Sequence, residues 1–189
     1  PHRQKPHHQR QNSRSTPALM EAESMTQLAT TRGTLTSSFA AMGTTATITI
    51  VGGSADMLDS ATRLILDLHR RWTRFDPSSE ISQINQSSGS LAVVEPDTFA
   101  VISAAVAAAA RTKGAYDPTV GRSMRALGYD RTLNDIPRLH GNTELIGAPG
   151  TAAIELLPEL SAVILAPGTE IDLGGIGKGA AADAAAGRR

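Results

Sequence analysis

A carboxylate, two adjacent glycines and a lysine stand close together in residues 171–179, which read IDLGGIGKG. Asp172 ends an extended segment. Gly174 and Gly175 let the backbone turn tightly and approach a ligand closely. A helix starting after them offers free N–H groups and the positive end of its dipole, which suit phosphate. Lys178 adds a mobile positive charge beside that helix start. The combination is an anion or nucleotide cradle, and other readings compete with it. A P-loop needs Gly, four residues, then Gly-Lys-Ser/Thr; here Asp172 stands first and Gly179 last. A dinucleotide fingerprint forced onto Gly177, Gly179 and Ala182 needs its ribose-binding acid about 20 residues later, past Arg189. A tight turn with an exposed lysine is the plain alternative.

Three further segments can act with this one. In residues 114–121, GAYDPTVG, a tyrosine ring beside a carboxylate can stack on a flat ring and hold its polar edge. The ordinary alternative is a turn with Asp117 as a helix cap. In residues 41–45, AMGTT, the soft thioether of Met42 suits a planar ligand, although core packing is its commoner use. Residues 74–85, RFDPSSEISQIN, end one helix and turn into another. Phe75 reads as core, with a stacking role second.

Elements of both kinds must position these segments. Residues 46–51 alternate β-branched and small side chains and read as a strand, ended by Gly52 and Gly53. Residues 54–75 place Met57, Leu58, Ala61, Leu64, Ile65, Leu68, Trp72 and Phe75 at helical spacing, which predicts a long amphipathic helix. Asp76 is expected to cap a short second helix, with Pro77 in its first turn. Residues 91–94 read as a strand. Asp97 is expected to cap an alanine-rich helix to Thr112, stopped by Gly114. Residues 116–150 have no sustained period and read as loops and short turns. Residues 153–157 and 162–165 read as strands, and 170–173 extend again. A second alanine-rich helix follows from Ile176. The mixture predicts an α+β domain rather than a regular βαβ alternation.

Composition bounds the function. The 189 residues are 40% apolar and 19% charged, enough for one core and too few for two full domains. The 18 basic and 18 acidic side chains cancel, which argues against a dedicated nucleic-acid binder. The chain has no cysteine, which excludes disulfides, thiolate metal sites, a cysteine nucleophile and a lipidated cysteine. No apolar run approaches the ~20 residues of a membrane helix. Residues 1–16 are polar, carry only basic charge and lack a secretory apolar region, so they are expected to be disordered. His2, His7 and His8 read there as solvated rather than as metal ligands. The tail is set at 1–33 and the folded domain at 34–189. A true start near Met20 or Met25 is expected, and the glycine turn and its helix, with nothing following, suggest a chain cut short.

The four segments together resemble the ApbE family, the FAD:protein FMN transferases. That family shows A-M-G-T at a strand start and R/Y-F-D-x-x-S-E-[IL]-S-x-[IL]-N at a helix turn. It also shows a G-[AY]-[FY]-D-x-T-V-G loop and a D-L-G-G-I-[AG]-K-G turn. This chain carries all four in order, at residues 41–44, 74–85, 114–121 and 172–179. The resemblance spans residues 35–186 and implies the N-terminal portion of an ApbE-like (T-fold-like) domain.

It also implies a function. Family members bind FAD and Mg²⁺, cleave the FAD pyrophosphate, and transfer FMN to a Ser or Thr hydroxyl of an acceptor flavoprotein, such as a respiratory or redox subunit, releasing AMP. Met42 matches the methionine at the flavin, and Phe75 an aromatic position near it. Ala115, Tyr116 and Asp117 match the loop that contacts FAD. Asp172 and Lys178 match FAD-binding positions, and the Gly175 carbonyl a metal ligand. The remaining metal ligands of the family lie in a half that this chain lacks, and one carbonyl cannot hold Mg²⁺ alone. Weak FAD binding without transfer is therefore expected of the chain by itself. A flavin-binding module and an inactive interaction protein stay open as alternatives. The family has exported, lipid-anchored members; with no signal and no lipobox cysteine, a cytoplasmic location is the default.

Overall fold

The computed structural model describes residues 27–31, 33–129 and 146–187. Among these, two three-stranded antiparallel sheets and five helices give the α+β architecture expected from the sequence. The first sheet runs β1 (Gln27–Thr31), β2 (Thr34–Ala41) and β3 (Thr44–Val51) in that order. β1 falls within the stretch assigned to the tail, so the ordered chain begins earlier than Thr34. Its pairing with β2, from Gln27 opposite Ser38 to Thr31 opposite Thr34, supplies what its short polar sequence does not signal. Residues 1–26, with the tail histidines and Met20 and Met25, lie outside the described residues.

β2 and β3 are joined by Met42 and Gly43, both left-handed at φ +51 and +71. This is the turn geometry that matches the twist of a hairpin. The second sheet has the order β4 (Leu91–Val93), β6 (Ala162–Leu165), β5 (Ile154–Leu157). A 3-10 turn at Pro158–Leu160 links β5 to β6.

Helix α1 (Ala55–Trp72) is capped by Ser54, whose hydroxyl accepts the Met57 amide at 3.4 Å. Of the expected stripe, Leu58, Ala61, Leu64, Ile65, Leu68 and Trp72 are buried, while Met57 in the first turn is exposed. Helix α2 (Glu80–Gln86) is capped by Ser79, which accepts the Ser82 amide at 3.1 Å. Asp76 is not its cap: the carboxylate accepts the Ser78 amide at 2.8 Å and its hydroxyl at 2.7 Å. Those bonds hold Asp76 below the usual carboxylate range. Helix α3 (Pro96–Arg111) starts one turn position ahead of expectation, with Pro96 in its first turn and Asp97 inside it. Proline's fixed φ and missing N–H favour that place over a cap. A short α4 (Gly121–Ala126) and the terminal α5 (Gly177–Gly187) complete the set.

The core gathers Leu68, Ile81, Ile102, Val163, Leu165 and Ile171 between α1, α2, α3 and the second sheet. A buried polar chain ties the three helices. Trp72 Nε1 donates to Thr98 Oγ1 at 2.9 Å, Thr98 donates to Glu80, and Glu80 accepts the Glu95 amide at 2.9 Å. Each polar group named in this chain of bonds has a partner, as burial demands. Residues 170–173, expected to be extended, form no strand and belong to neither sheet. Side chains and loops hold them instead.

Candidate functional site

The chain bends sharply where α1 ends. Past Trp72 the buried stripe stops, and Phe75 is left 45% exposed rather than in the core. Its ring lies under the Arg74 guanidinium, 4.4 Å from centroid to Cζ, a cation–π contact. Arg74 Nε reaches Asp172 Oδ2 at 2.5 Å, and both side chains are largely buried.

The segment bearing Asp172 is fixed from several sides. Asn85, on α2, brackets Ile171: its amide donates to the Ile171 carbonyl at 2.9 Å, and its carbonyl accepts the Ile171 amide at 2.8 Å. The Asp172 amide donates to Pro118 O at 2.8 Å, and the Gly121 amide to Glu170 O at 3.1 Å. A Cβ on Gly121 would stand 2.8 Å from that same carbonyl, so only glycine allows this approach. Asp172 Oδ1 then accepts the Gly174 amide at 2.6 Å and folds the turn back. The amides of Ile176 and Gly177 close on Leu173 O, at 3.0 and 2.7 Å. The amides of Lys178 and Gly179 have no acceptor among the described hydrogen bonds. They belong to the first turn of α5, at the positive end of its dipole.

Met42, Phe75, Asp172 and Lys178 line one cavity of about 540 Å³. Trp72, Met124 and Leu173 add apolar wall, and His69 and Arg70 add polar groups. Arg70, Arg74 and Lys178 bring three positive charges against the carboxylates Asp76 and Asp172, so the lining suits an anion with a flat apolar part. A smaller cavity of about 310 Å³ shares Arg74 and Phe75 as walls and reaches Asn85, Arg125 and Glu170.

Ala115, Tyr116 and Asp117 are not in the lining of the larger cavity. Ala115 is exposed. Asp117 closes its own turn, accepting the Thr119 amide at 2.8 Å and hydroxyl at 2.7 Å. The Tyr116 ring lies behind the glycine turn: a Cβ on Gly175 would be 2.8 Å from it. Its hydroxyl is buried without a partner among the described residues. Burial first, then the negative Asp172 and Asp117, push its pKa up to about 12. Gly175 thus sits between the tyrosine ring and the start of α5.

Magnesium does not fit the described residues by themselves. Both Asp172 oxygens are engaged, and no group of three His, Asp or Glu among the described residues converges on a point. Sequence reading gives His69 and Asn85 no part in a site, and Trp72 only a place on the apolar face of its helix. Asn85 ends the helix-turn motif, so its position was visible. His69, four residues after the buried Ile65, carried only a helical-face signal.

The profile described as the ApbE family matches residues 42–188. None of the curated proteins matches the chain. The fold is similar to that of the ApbE protein from Thermotoga maritima, at 24% identity and TM-score 0.66, over 85% of this chain and 51% of that one. It is similar to a variant of the flavin transferase ApbE from Vibrio cholerae, at 22% identity and TM-score 0.67, over 81% and 55%. For the Pseudomonas stutzeri flavinyl transferase ApbE the values are 17%, 0.63, 86% and 53%. The chain spans about half the length of these structures. No helix among the described residues is long and apolar enough to cross a membrane. By the family profile, which covers most of its length, the chain belongs to the ApbE family.

Proposed function

We propose that this chain supplies the FAD-binding half of an FAD:protein FMN transferase. The observation that carries the reading is the convergence of Met42, Phe75, Asp172 and Lys178 on one cavity from separate segments. Phe75, Met42 and Trp72 offer a wall for an aromatic ring. Lys178 and the free amides opening α5 meet a pyrophosphate. Arg74 and Asp172 neutralise each other and keep the turn in shape. In the transfer, the acceptor's Ser or Thr oxygen attacks the flavin-side phosphorus. That P–O bond forms as the bridging P–O bond to AMP breaks, the hydroxyl proton goes to a base, and AMP leaves with the bonding pair. The acceptor is a redox flavoprotein. Magnesium would draw its ligands from outside the described residues.

Fluorescence titration of FAD tests this. Weak, saturable quenching is expected, unchanged by Mg²⁺. Lys178→Ala should weaken it about tenfold with the urea midpoint unmoved, because its side chain is exposed, and Phe75→Ala about fivefold with a small loss of stability from the lost Arg74 contact. Absence of saturable quenching would sink the reading. Tight, Mg²⁺-dependent quenching would instead refute the statement that these residues do not hold the metal. AMP release with a flavinylated Ser or Thr separates a transferase from a binding module.

A further inference from the structure

Met42 stands in the cavity wall with φ +51, a backbone conformation methionine rarely adopts. Such a residue stays in that well only when its surroundings over-determine it. Gly43 meets the same demand freely at the next position, but does nothing for Met42. The tie on Met42 is its amide, which donates to Nδ1 of His69 at 3.1 Å. His69 is 27 positions away, in the last turn of α1, and lines the same cavity. Because Nδ1 accepts, the neutral ring carries its proton on Nε2.

We propose that His69 is a positioning residue for ligand binding in this cavity: its neutral imidazole pins the Met42 turn, and protonation of the ring releases it. The inference rests on reading the cavity as the FAD site. A protonated ring carries N–H on both nitrogens, so Nδ1 can no longer accept from Met42. β2 and β3, which pack on α1, bring no titratable side chain to the ring. The charged or titratable groups around the cavity are Arg70, Arg74, Asp76, Tyr129, Asp172 and Lys178. Asp67 on α1 is taken by Arg70 and Arg71, and Asp183 on α5 is exposed. None of these bonds the imidazole among the described residues, and burial holds it below the ordinary value of 6.5. With the folded value lowered, the stabilisation is complete above the unfolded value and is lost as pH falls below it toward the folded one.

The test is FAD fluorescence titration at pH 8 and pH 5 of the native chain and two substitutions. His69→Asn keeps an acceptor near the Nδ1 position and does not titrate. His69→Gln carries its polar atoms near the Nε2 position and leaves the Met42 amide unpaired. Native affinity is expected to fall about tenfold between the two pH values. His69→Asn should recover most of the native pH 8 affinity at both. His69→Gln should be about tenfold weaker at both. Rescue by Gln and not by Asn would mean that the ring acts on FAD directly through Nε2, and would overturn the proposal. So would a native affinity that ignores pH. An NMR titration of the ligand-free native chain needs no variant. The Met42 amide and the His69 ring should shift with one midpoint below 6.5, and an amide indifferent to the ring would overturn the proposal. If FAD does not bind the native chain at pH 8, the reading of the cavity fails; the amide titration still decides whether His69 governs the turn.

Discussion

Asp172→Ala is expected to lower stability by about 3 kcal/mol and to abolish measurable FAD quenching. Two losses combine. The Arg74 guanidinium, largely buried, is left without its counter-charge. Breaking one partner out of a buried ion pair costs about 3–5 kcal/mol, and the residual solvent contact here places the effect at the lower end. The Gly174 amide also loses its acceptor, so the turn that presents Lys178 loosens. Urea unfolding measures the first loss and FAD titration the second. Asp172→Asn keeps an oxygen for Gly174 and drops the charge. It should recover part of the stability and little of the binding. A midpoint for Asp172→Ala within error of the native one would show that Arg74 does not depend on this carboxylate.

The second large effect is at Asn85. Its side chain serves both polar groups of Ile171, a residue with no exposed surface. Asn85→Ala strands a buried N–H and a buried C=O together. At about 1–3 kcal/mol for each unsatisfied group, a loss of about 3 kcal/mol is expected. Asn85→Asp is not a rescue: it can accept the Ile171 amide but sets a carboxylate against the Ile171 carbonyl. FAD affinity should fall along with stability, since Ile171 carries Asp172 into place. Paired with Asp172→Ala, the two losses should sum to less than their total, because both loosen one segment. Full additivity in urea would show that the two sites are independent.

The local parts of this fold were legible in the sequence, and the reasons are specific. The stripe from Leu58 to Trp72 keeps helical spacing for about four turns, so α1 could hardly be read otherwise. β5 and β6 follow from short apolar runs broken by Pro158. The cap of α2 was misassigned because Asp76 and Ser79 are both good caps three residues apart, and only the bonds to Ser78 settle the choice. Phe75 continued an apolar spacing by one step beyond the point where the helix ends. β1 was hidden because its strand character comes from its neighbour rather than from its own residues. Of the residues singled out in the sequence, Met42, Phe75, Asp172 and Lys178 line one cavity. The supports of that cavity were not legible: nothing local to Asn85 points to Ile171, and nothing local to His69 points to Met42. For Tyr116 and Asp117, the structure shows a ring behind the turn and a carboxylate closing its own loop.

The ties that shape the glycine turn also set an order of events in folding. Asn85 and Ile171 are 86 residues apart, and Arg74 and Asp172 are 98. The β2–β3 hairpin and α1 can form from neighbours within a few residues, but these contacts must close long loops first, and the chain entropy of closure delays them. The cavity is therefore expected to assemble last and open first, while the hairpin and α1 persist. In native-state amide exchange, the amides of Ile171 and Asp172 should open at lower free energy than those of Leu64 and Leu68, and the reverse order would refute this. Ligand that bridges the turn to α1 would then work as a clasp on the late-folding half, so the same contacts that recognise it would also govern how long the folded chain survives.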